Sequence, residues 1–135
     1  MSIDANKEVI RRFVDQVFVK LNMGDVDELV ADDFVSHNWP SDSDSKTALK
    51  AAAERLGQAL ADISFSVDDL IAEDDRVVAR VTSRARQVGP FMGMPASGRS
   101  YEIGEIHIFR LQDGKIVEHW YEMDAMGLVR QLKGG

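Results

Sequence analysis

The spacing of the apolar residues changes once along the chain, near residue 61, and this change constrains the fold more than any other feature. Before it, apolar side chains recur every three or four residues, as on one side of an amphipathic helix. After it they alternate, as in β-strands. Helices followed by antiparallel strands are typical of the α+β class rather than of a parallel α/β sheet. The length of 135 residues predicts one domain over residues 1–135.

Three helices are predicted before the change in spacing, and a helix or turn is predicted at the end of the chain. Asp4 and Asp124 are the predicted N-caps of the first and the last helix. Between the second and third helices, residues 33–40 are expected to be extended and to end at Pro40. The predicted helices are 6–21, 25–31, 46–60 and 125–132.

Four strands are predicted in the second half of the chain. Asp113 and Gly114 form a sequence typical of a tight hairpin turn between the last two strands. Residues 89–98 join the second and third strands through a loop rich in glycine, proline and large apolar side chains. The predicted strands are 63–72, 76–88, 101–111 and 115–123.

Composition excludes several classes of function. The chain has 23 acidic and 16 basic residues and a net charge of −7, which disfavours nucleic acid as a partner. The absence of cysteine excludes disulfides, thiolate metal sites and a cysteine nucleophile. No secretory signal, membrane span or glycine-rich phosphate loop is recognisable, so we expect a cytoplasmic protein with no membrane partner.

Alternation along the last two strands predicts a face that mixes titratable and apolar side chains. The residues assigned to it are Tyr101, Ile103, Glu105, His107, Phe109, Leu111, Val117, His119, Tyr121 and Met123. Ile116, Glu118, Trp120 and Glu122 are assigned to the opposite face. Polar groups in an apolar wall are typical of a small-molecule pocket. The alternative is a set of hydrogen-bonded polar residues with a purely structural role.

The opposite face of the sheet is also partly apolar, through Ile106, Ile108 and Trp120. A sheet that is apolar on both faces must be covered on both, and the helices can cover one. We therefore expect a homodimer. Four arginines at positions 76, 80, 84 and 86 share one strand face, which we interpret as solvated or intersubunit.

Two segments resemble the SnoaL-like polyketide cyclases of the nuclear-transport-factor-2-like superfamily, which also contains ketosteroid isomerase. They are DDFVSHNW at 32–39 and GPFMGMPASGRSYEIGEIHIFRLQDGKIVEHWYEMDAMGLVRQL at 89–132. The resemblance implies a cone-shaped α+β barrel, with three N-terminal helices packed on a curved mixed sheet around a deep pocket. It further implies dimers or tetramers, no metal or organic cofactor, and an intramolecular aldol condensation of a polyketide ester.

The resemblance also assigns site residues. A pocket histidine of the family falls on His107, whereas the family's catalytic aspartate, two residues after His119, is replaced by Tyr121. A phenol donates a hydrogen bond at neutral pH but is a poor base. Glu105, two positions from His107, is the predicted substitute base, and a structural Glu105–His107 pair is the alternative. The catalytic candidates are thus Glu105, His107, His119 and Tyr121.

A second set of residues is predicted to contact a hydrophobic substrate. It comprises His37, Trp39, Phe91, Met92, Met94, Tyr101, Phe109 and Met123. Phe91, Met92 and Met94 are interpreted as a flexible apolar flap, or alternatively as ordinary packing beneath a loop. The predicted function is proton transfer on a hydrophobic carbonyl compound, by aldol cyclisation or isomerisation. The alternatives are a non-catalytic binder of small hydrophobic ligands, which Tyr121 favours, hydrolysis or epoxide opening, and a dimerisation scaffold.

Overall fold

Five strands form one mixed sheet in the computed structural model, which describes residues 2–37 and 45–134. The strands are β1 (Val30–Ser36), β2 (Leu60–Glu73), β3 (Arg76–Gln87), β4 (Ser100–Gln112) and β5 (Lys115–Met123). Their order across the sheet is β1-β5-β4-β3-β2. β1 runs parallel to β5, and the other neighbouring pairs are antiparallel. The predicted α+β class with a mixed sheet is confirmed.

The sheet is open, which corrects the barrel implied by the resemblance. Among the described residues, β1 and β2 are its two edges and do not pair with each other. The helix that connects these two strands contacts both of them. Side-chain packing by that helix therefore bridges the gap that strand-to-strand hydrogen bonds would close in a barrel.

Four α-helices accompany the sheet: α1 (Ile3–Phe13), α2 (Met23–Leu29), α3 (Ser45–Ala59) and α4 (Ala125–Lys133). The predicted N-cap of α4 is confirmed, because Asp124 Oδ1 accepts a 2.8 Å hydrogen bond from Gly127 N. The predicted N-cap of α1 is wrong. Ser2 caps this helix by accepting from Ala5 N, and Asp4 lies in the first turn, where the helix dipole favours an acid. No helix of the described residues is long and apolar enough to cross a membrane.

The first helix does not continue as an α-helix to residue 21. A π-helical turn, Val14–Val19, follows α1, and Lys20 N donates to Asp15 O, five residues earlier. A period of 3.6 in the sequence cannot signal this change of winding, because the apolar residues remain on one side. The turn places Phe18 against Phe65, with ring centroids 5.3 Å apart.

The second helix is shorter than predicted because Val30 already belongs to β1. Val30 is fully buried, has extended backbone angles and pairs with Ile116 of β5. β2 in turn starts at Leu60, which pairs with Gln87 of β3 three residues before the alternating pattern becomes regular. Pairing with a neighbouring strand therefore decided both boundaries. The predicted extended segment continued to Pro40, and its part after residue 37 lies outside the described residues.

The inner face of the sheet carries the core, and β4 follows the predicted alternation along its whole length. β5 departs from it at one point. Arg110 pairs with Glu118 and Leu111 with Ile116, so that Val117 forms a bulge. Because the bulge adds one residue, Ile116 is fully buried on the core side. Its predicted assignment to the opposite face is wrong.

Candidate active site

A cavity of about 430 Å³ lies on the inner face of the sheet. This volume is typical of small-molecule sites. Strands β2 to β5, the helices α3 and α4, the π-helical turn and the loop after β3 contribute to its walls. The predicted site residues that line it are Phe91, Met92, Tyr101, Glu105, His107, His119, Tyr121 and Met123.

The hairpin of β4 and β5 positions the polar part of this wall. Glu105 and His107 are two residues apart on β4, so their side chains project from the same face. In the antiparallel register Glu105 lies opposite Met123, and His107 lies opposite Tyr121. His119 pairs with Phe109 and is therefore a diagonal neighbour of His107.

A chain of two hydrogen bonds connects the carboxylate with the two histidines. His107 Nε2 lies 2.8 Å from Glu105 Oε1, and His107 Nδ1 lies 2.9 Å from His119 Nε2. His107 and His119 are 3% and 2% exposed, and the Glu105 side chain is 10% exposed. In such a setting each hydrogen bond is stronger than in water, and a lost partner is costly. The three side chains therefore hold one another in place, and all three line the cavity.

The chemistry of the three groups limits where the protons can be. An ionised Glu105 only accepts, so His107 must then donate from Nε2, and its Nδ1 accepts from Nε2 of His119. If Glu105 is protonated, both hydrogen bonds can reverse, because each imidazole nitrogen is able to donate or accept. Glu105 can therefore change its protonation state while both hydrogen bonds, to His107 and from His107 to His119, are kept.

His119 is held neutral. Burial lowers the pKa of His119 well below its ordinary value of 6.5, and electrostatic repulsion from the neighbouring His107 and His37 rings lowers it further. A neutral imidazole at this position keeps both a donor and an acceptor nitrogen at neutral pH. His119 thus acts as a hydrogen-bonding partner of His107 rather than as a cation.

Two tyrosines complete the polar wall. The Tyr121 ring lies parallel to the rings of His107 and His119, with centroids 5.3 and 5.5 Å away. Burial raises the pKa of Tyr101, the Glu105 charge raises it further, and a hydrogen bond with Ser83 opposes this. Both lie in the cavity wall, where a neutral phenol can donate a hydrogen bond to a ligand oxygen.

The loop after β3 covers one side of the cavity as a short flap, here defined as residues 89–98. Phe91 and Met94 form a two-sided backbone bridge, with N···O distances of 3.0 and 2.9 Å. Met92 and Gly93 between them have positive φ angles of 51° and 76°. Phe91 and Met92 consequently reach the cavity, whereas the Met94 side chain is buried in the core and does not line the cavity.

Gln87, which is not among the predicted site residues, anchors this flap. Its side chain is 0% exposed, and its amide nitrogen lies 3.1, 3.2 and 3.1 Å from the carbonyl oxygens of Gly89, Met94 and Pro95. Its Oε1 accepts from the Ser97 hydroxyl at 2.7 Å. One sequence signal was available, because Gln87 occupies an inward position of its strand where an apolar residue is expected.

Several apolar wall residues were also missed, because they come from elements remote in sequence. Phe18 reaches the cavity from the π-helical turn and Leu128 from α4, while one stripe of α3 faces it. The sequence indicates each of these residues only as part of a predicted helical segment. Nothing local in a helix shows whether its apolar stripe meets a closed core or an open cavity.

Three predicted substrate contacts in the described part of the chain are not part of this wall. Met94 is one of them, and Phe109 is another, since it is fully buried against Phe13 and the ring of His119. His37 lies apart from the cavity, where it stacks on Trp120 and pairs with Glu118 at 2.6 Å. Trp39, which is also a predicted substrate contact, lies outside the described residues. Within residues 2–37 and 45–134, no group of three His, Asp or Glu side chains is placed to hold a metal ion.

Comparison with known proteins identifies the family. The model of the SnoaL-like polyketide cyclases matches residues 8–132. The nogalonic acid methyl ester cyclase of Streptomyces nogalater is 32% identical over 116 residues, or 80% of this chain and 83% of that protein. Aklanonic acid methyl ester cyclase DnrD of Streptomyces peucetius is 43% identical over 56 residues, which cover 42% of this chain. That match spans 39% of the relative's length, well under half.

A solved structure supports the same assignment. TsrD from Streptomyces laurentii superposes with a TM-score of 0.90 at 34% identity. The superposition covers 98% of this chain and 97% of that one. The fold, the family model and a relative aligned over most of its length agree, and the chain belongs to the SnoaL-like polyketide cyclase family.

Proposed function

We propose that the protein catalyses a cofactor-independent intramolecular aldol cyclisation of a hydrophobic carbonyl compound, with Glu105 as the base. Support comes from the two relatives named as cyclases of polyketide methyl esters and from the mostly apolar cavity with its polar hairpin wall. The observation that carries the proposal is the position of Glu105. Among the described lining residues it is the one carboxylate, and it is bonded to the two-histidine chain.

The reaction needs one proton to leave a carbon atom and one to arrive at an oxygen atom. The Glu105 carboxylate removes a proton from the carbon next to a carbonyl group, and an enolate forms. The enolate carbon attacks a second carbonyl carbon of the same molecule, which makes the new C–C bond and an alkoxide. The alkoxide takes the proton back from the Glu105 carboxyl group. Product and substrate are isomers, so no further reactant is required.

The environment suits a carboxylate that must take up and release a proton. Oε1 of Glu105 is hydrogen-bonded to His107, and no other described residue hydrogen-bonds this carboxylate. The second oxygen therefore remains for the substrate. The hydrogen bonds among Glu105, His107 and His119 can reverse when the carboxylate takes up a proton, so the site keeps these contacts in both states. Tyr121 is assigned a different role, donation of a hydrogen bond to the enolate or alkoxide oxygen.

The test uses the methyl esters of nogalonic acid and aklanonic acid as substrates. Glu105→Gln keeps the size of the side chain but cannot act as a base. Its kcat is expected to fall by about 10²- to 10⁴-fold, the usual contribution of a general base. Glu122→Gln is the matched control, because Glu122 is on the same hairpin but on the outer face. Unchanged turnover in Glu105→Gln would exclude this residue as the base.

A second candidate function is the binding of a hydrophobic ligand without chemistry. Tyr121 favours it, because this position holds the catalytic aspartate in the resemblance described above. The same assay separates the two possibilities. A binder shows saturable affinity for these esters in wild type and no product, whereas the proposed enzyme forms product and loses it on replacement of Glu105.

We also propose a homodimer formed through the outer face of the sheet. Ile106 is 49% exposed there, next to Trp120 and Glu122 on β5. The arginines of this face are largely neutralised within the chain; Arg84, for example, bonds to Glu102. Burial of such a surface in a dimer interface costs less desolvation free energy than burial of unpaired charges. Ile106→Lys should shift sedimentation from dimer to monomer without unfolding, and an unchanged sedimentation coefficient would contradict this interface.

A further inference from the structure

One cation faces the cavity from an otherwise apolar helical stripe. The residues of α3 that line the cavity are spaced by three, one and three positions, as one face of a helix requires. They are Ala52, Arg55, Leu56 and Ala59. Arg55 is exposed, so its guanidinium lies at the rim of the cavity rather than in its depth. A long side chain of this kind can lay its methylene stem along apolar surface and keep its charge near solvent.

This guanidinium has no carboxylate partner among the described residues. Arg80, Arg84 and Arg110 of the sheet each bond to an acidic side chain of the same chain, but Arg55 takes part in no ion pair or hydrogen bond there. In a chain with seven more acids than bases, a cation left unpaired at the rim of a ligand cavity is available to the ligand. Arginine in particular presents a planar donor fork that matches a carboxylate.

The same cavity carries the opposite charge elsewhere in its wall, on Glu105. An anionic group on a ligand is therefore repelled from the Glu105 part of the wall and attracted to the Arg55 part. We infer that Arg55 is a specificity-determining residue that selects ligands with a carboxylate on an apolar ring system. It orients them with the anion at the rim and the neutral carbonyl groups towards Glu105. This inference rests on the proposed function only in taking the cavity as the ligand site.

The expected size of the effect follows from the exposure of Arg55. Exposed ion pairs contribute at most about 1 kcal/mol, because solvent and salt screen them. A preference of about fivefold for a carboxylate over a neutral group of the same shape corresponds to that limit. The preference should also shrink as the salt concentration rises.

Two matched probes test the inference by calorimetric titration, anthraquinone-2-carboxylate and anthraquinone-2-carboxamide. They share the ring system and differ in charge. Wild type is expected to bind the carboxylate about fivefold more tightly, and Arg55→Gln should bind both equally. Arg55→Lys should retain part of the preference, since it keeps the charge and loses the fork. Arg130→Gln, which removes a charge from an exposed position outside the cavity wall, is the control and should behave as wild type.

The outcomes are distinct for this inference and for the proposed reaction. Equal affinity of wild type for both probes, or an unchanged preference in Arg55→Gln, overturns the role of Arg55 and leaves the aldol proposal untouched. Failure of both probes to bind overturns the role of Arg55 together with the cavity as a site for aromatic carbonyl compounds. Unchanged turnover in Glu105→Gln overturns the proposed base, while the charge preference measured by binding stands.

Discussion

Replacement of Gln87 by leucine should loosen the flap over the cavity while the fold survives. The side chain is fully buried, and leucine has a similar size but cannot hydrogen-bond. The substitution deprives the carbonyl oxygens of Gly89, Met94 and Pro95 of their shared donor, and the Ser97 hydroxyl of its acceptor. The backbone hydrogen bonds between Gln87 and Arg99 or Gly98 do not involve the side chain and should remain. The loss is therefore local to the flap.

The magnitude follows from the number of hydrogen bonds. The amide group has two N–H donors for the three carbonyl oxygens, and its oxygen makes one further bond, so about three bonds are lost. At roughly 1 kcal/mol each, the closed flap becomes less stable by about 3 kcal/mol. Since about 1.4 kcal/mol corresponds to a factor of ten, the open population should rise by about 100-fold. The freed carbonyl groups can reach water when the flap opens, which is why opening is favoured over global unfolding.

Hydrogen exchange measures this opening directly. The amides of Phe91 and Met94 bond to each other's carbonyl groups in the closed flap, so they exchange only when it opens. Both should exchange about 100-fold faster in Gln87→Leu. The matched control is Gln131→Leu. This substitution removes two hydrogen bonds between the Gln131 side chain of α4 and the backbone of Glu102 on β4, and neither residue belongs to the flap. Unchanged exchange at Phe91 and Met94 in Gln87→Leu would refute the anchoring role.

Three further outcomes are expected. The unfolded chain protonates His119 below pH 6.5 while the buried neutral ring does not, so stability should fall with falling pH by up to about 1.4 kcal/mol per pH unit from this residue. Chemical denaturation at pH 7 and pH 5 should show this component missing in His119→Gln. Asp124→Ala should lower the free energy of unfolding by about 0.5–2 kcal/mol through loss of the α4 N-cap, measured at pH 7, and an unchanged value would argue against the cap. Tyr121→Phe should reduce kcat about 10²-fold or more with little change in KM, and the reverse pattern would indicate a role in binding alone.

Sequence periodicity was sufficient for most of the fold, because alternation reports directly on which side of a strand is buried. It placed Glu105 and His107 on the inner face of one strand and His119 and Tyr121 on that of the next, as observed. It failed at Ile116, because a bulge adds a residue and leaves no trace in an apolar pair of neighbours. The change from α-helix to π-helix is not visible in the sequence pattern either, since a π-helical turn keeps its apolar residues on one side.

The remaining misses concern contacts between distant segments. His37 lies within a stretch that resembles the family, yet its ring stacks on Trp120, and only the register of β1 against β5 determines that contact. Gln87 makes its hydrogen bonds to carbonyl groups, which every residue possesses. No residue type in the flap therefore reveals which side chain will anchor it. Both positions depend on tertiary geometry that a single sequence does not encode in a readable pattern.

The hydrogen-bonded chain of Glu105, His107 and His119 lies within one hairpin, closed by the turn at Asp113 and Gly114. Its members are at most 14 positions apart in sequence. The apolar surfaces that would meet a substrate come instead from the π-helical turn, α3, α4 and the flap. Proton handling and substrate shape are thus encoded in separate stretches of the chain. Libraries that vary α3 and the flap can accordingly search for new substrates while the hairpin, and the chemistry it supports, is inherited intact.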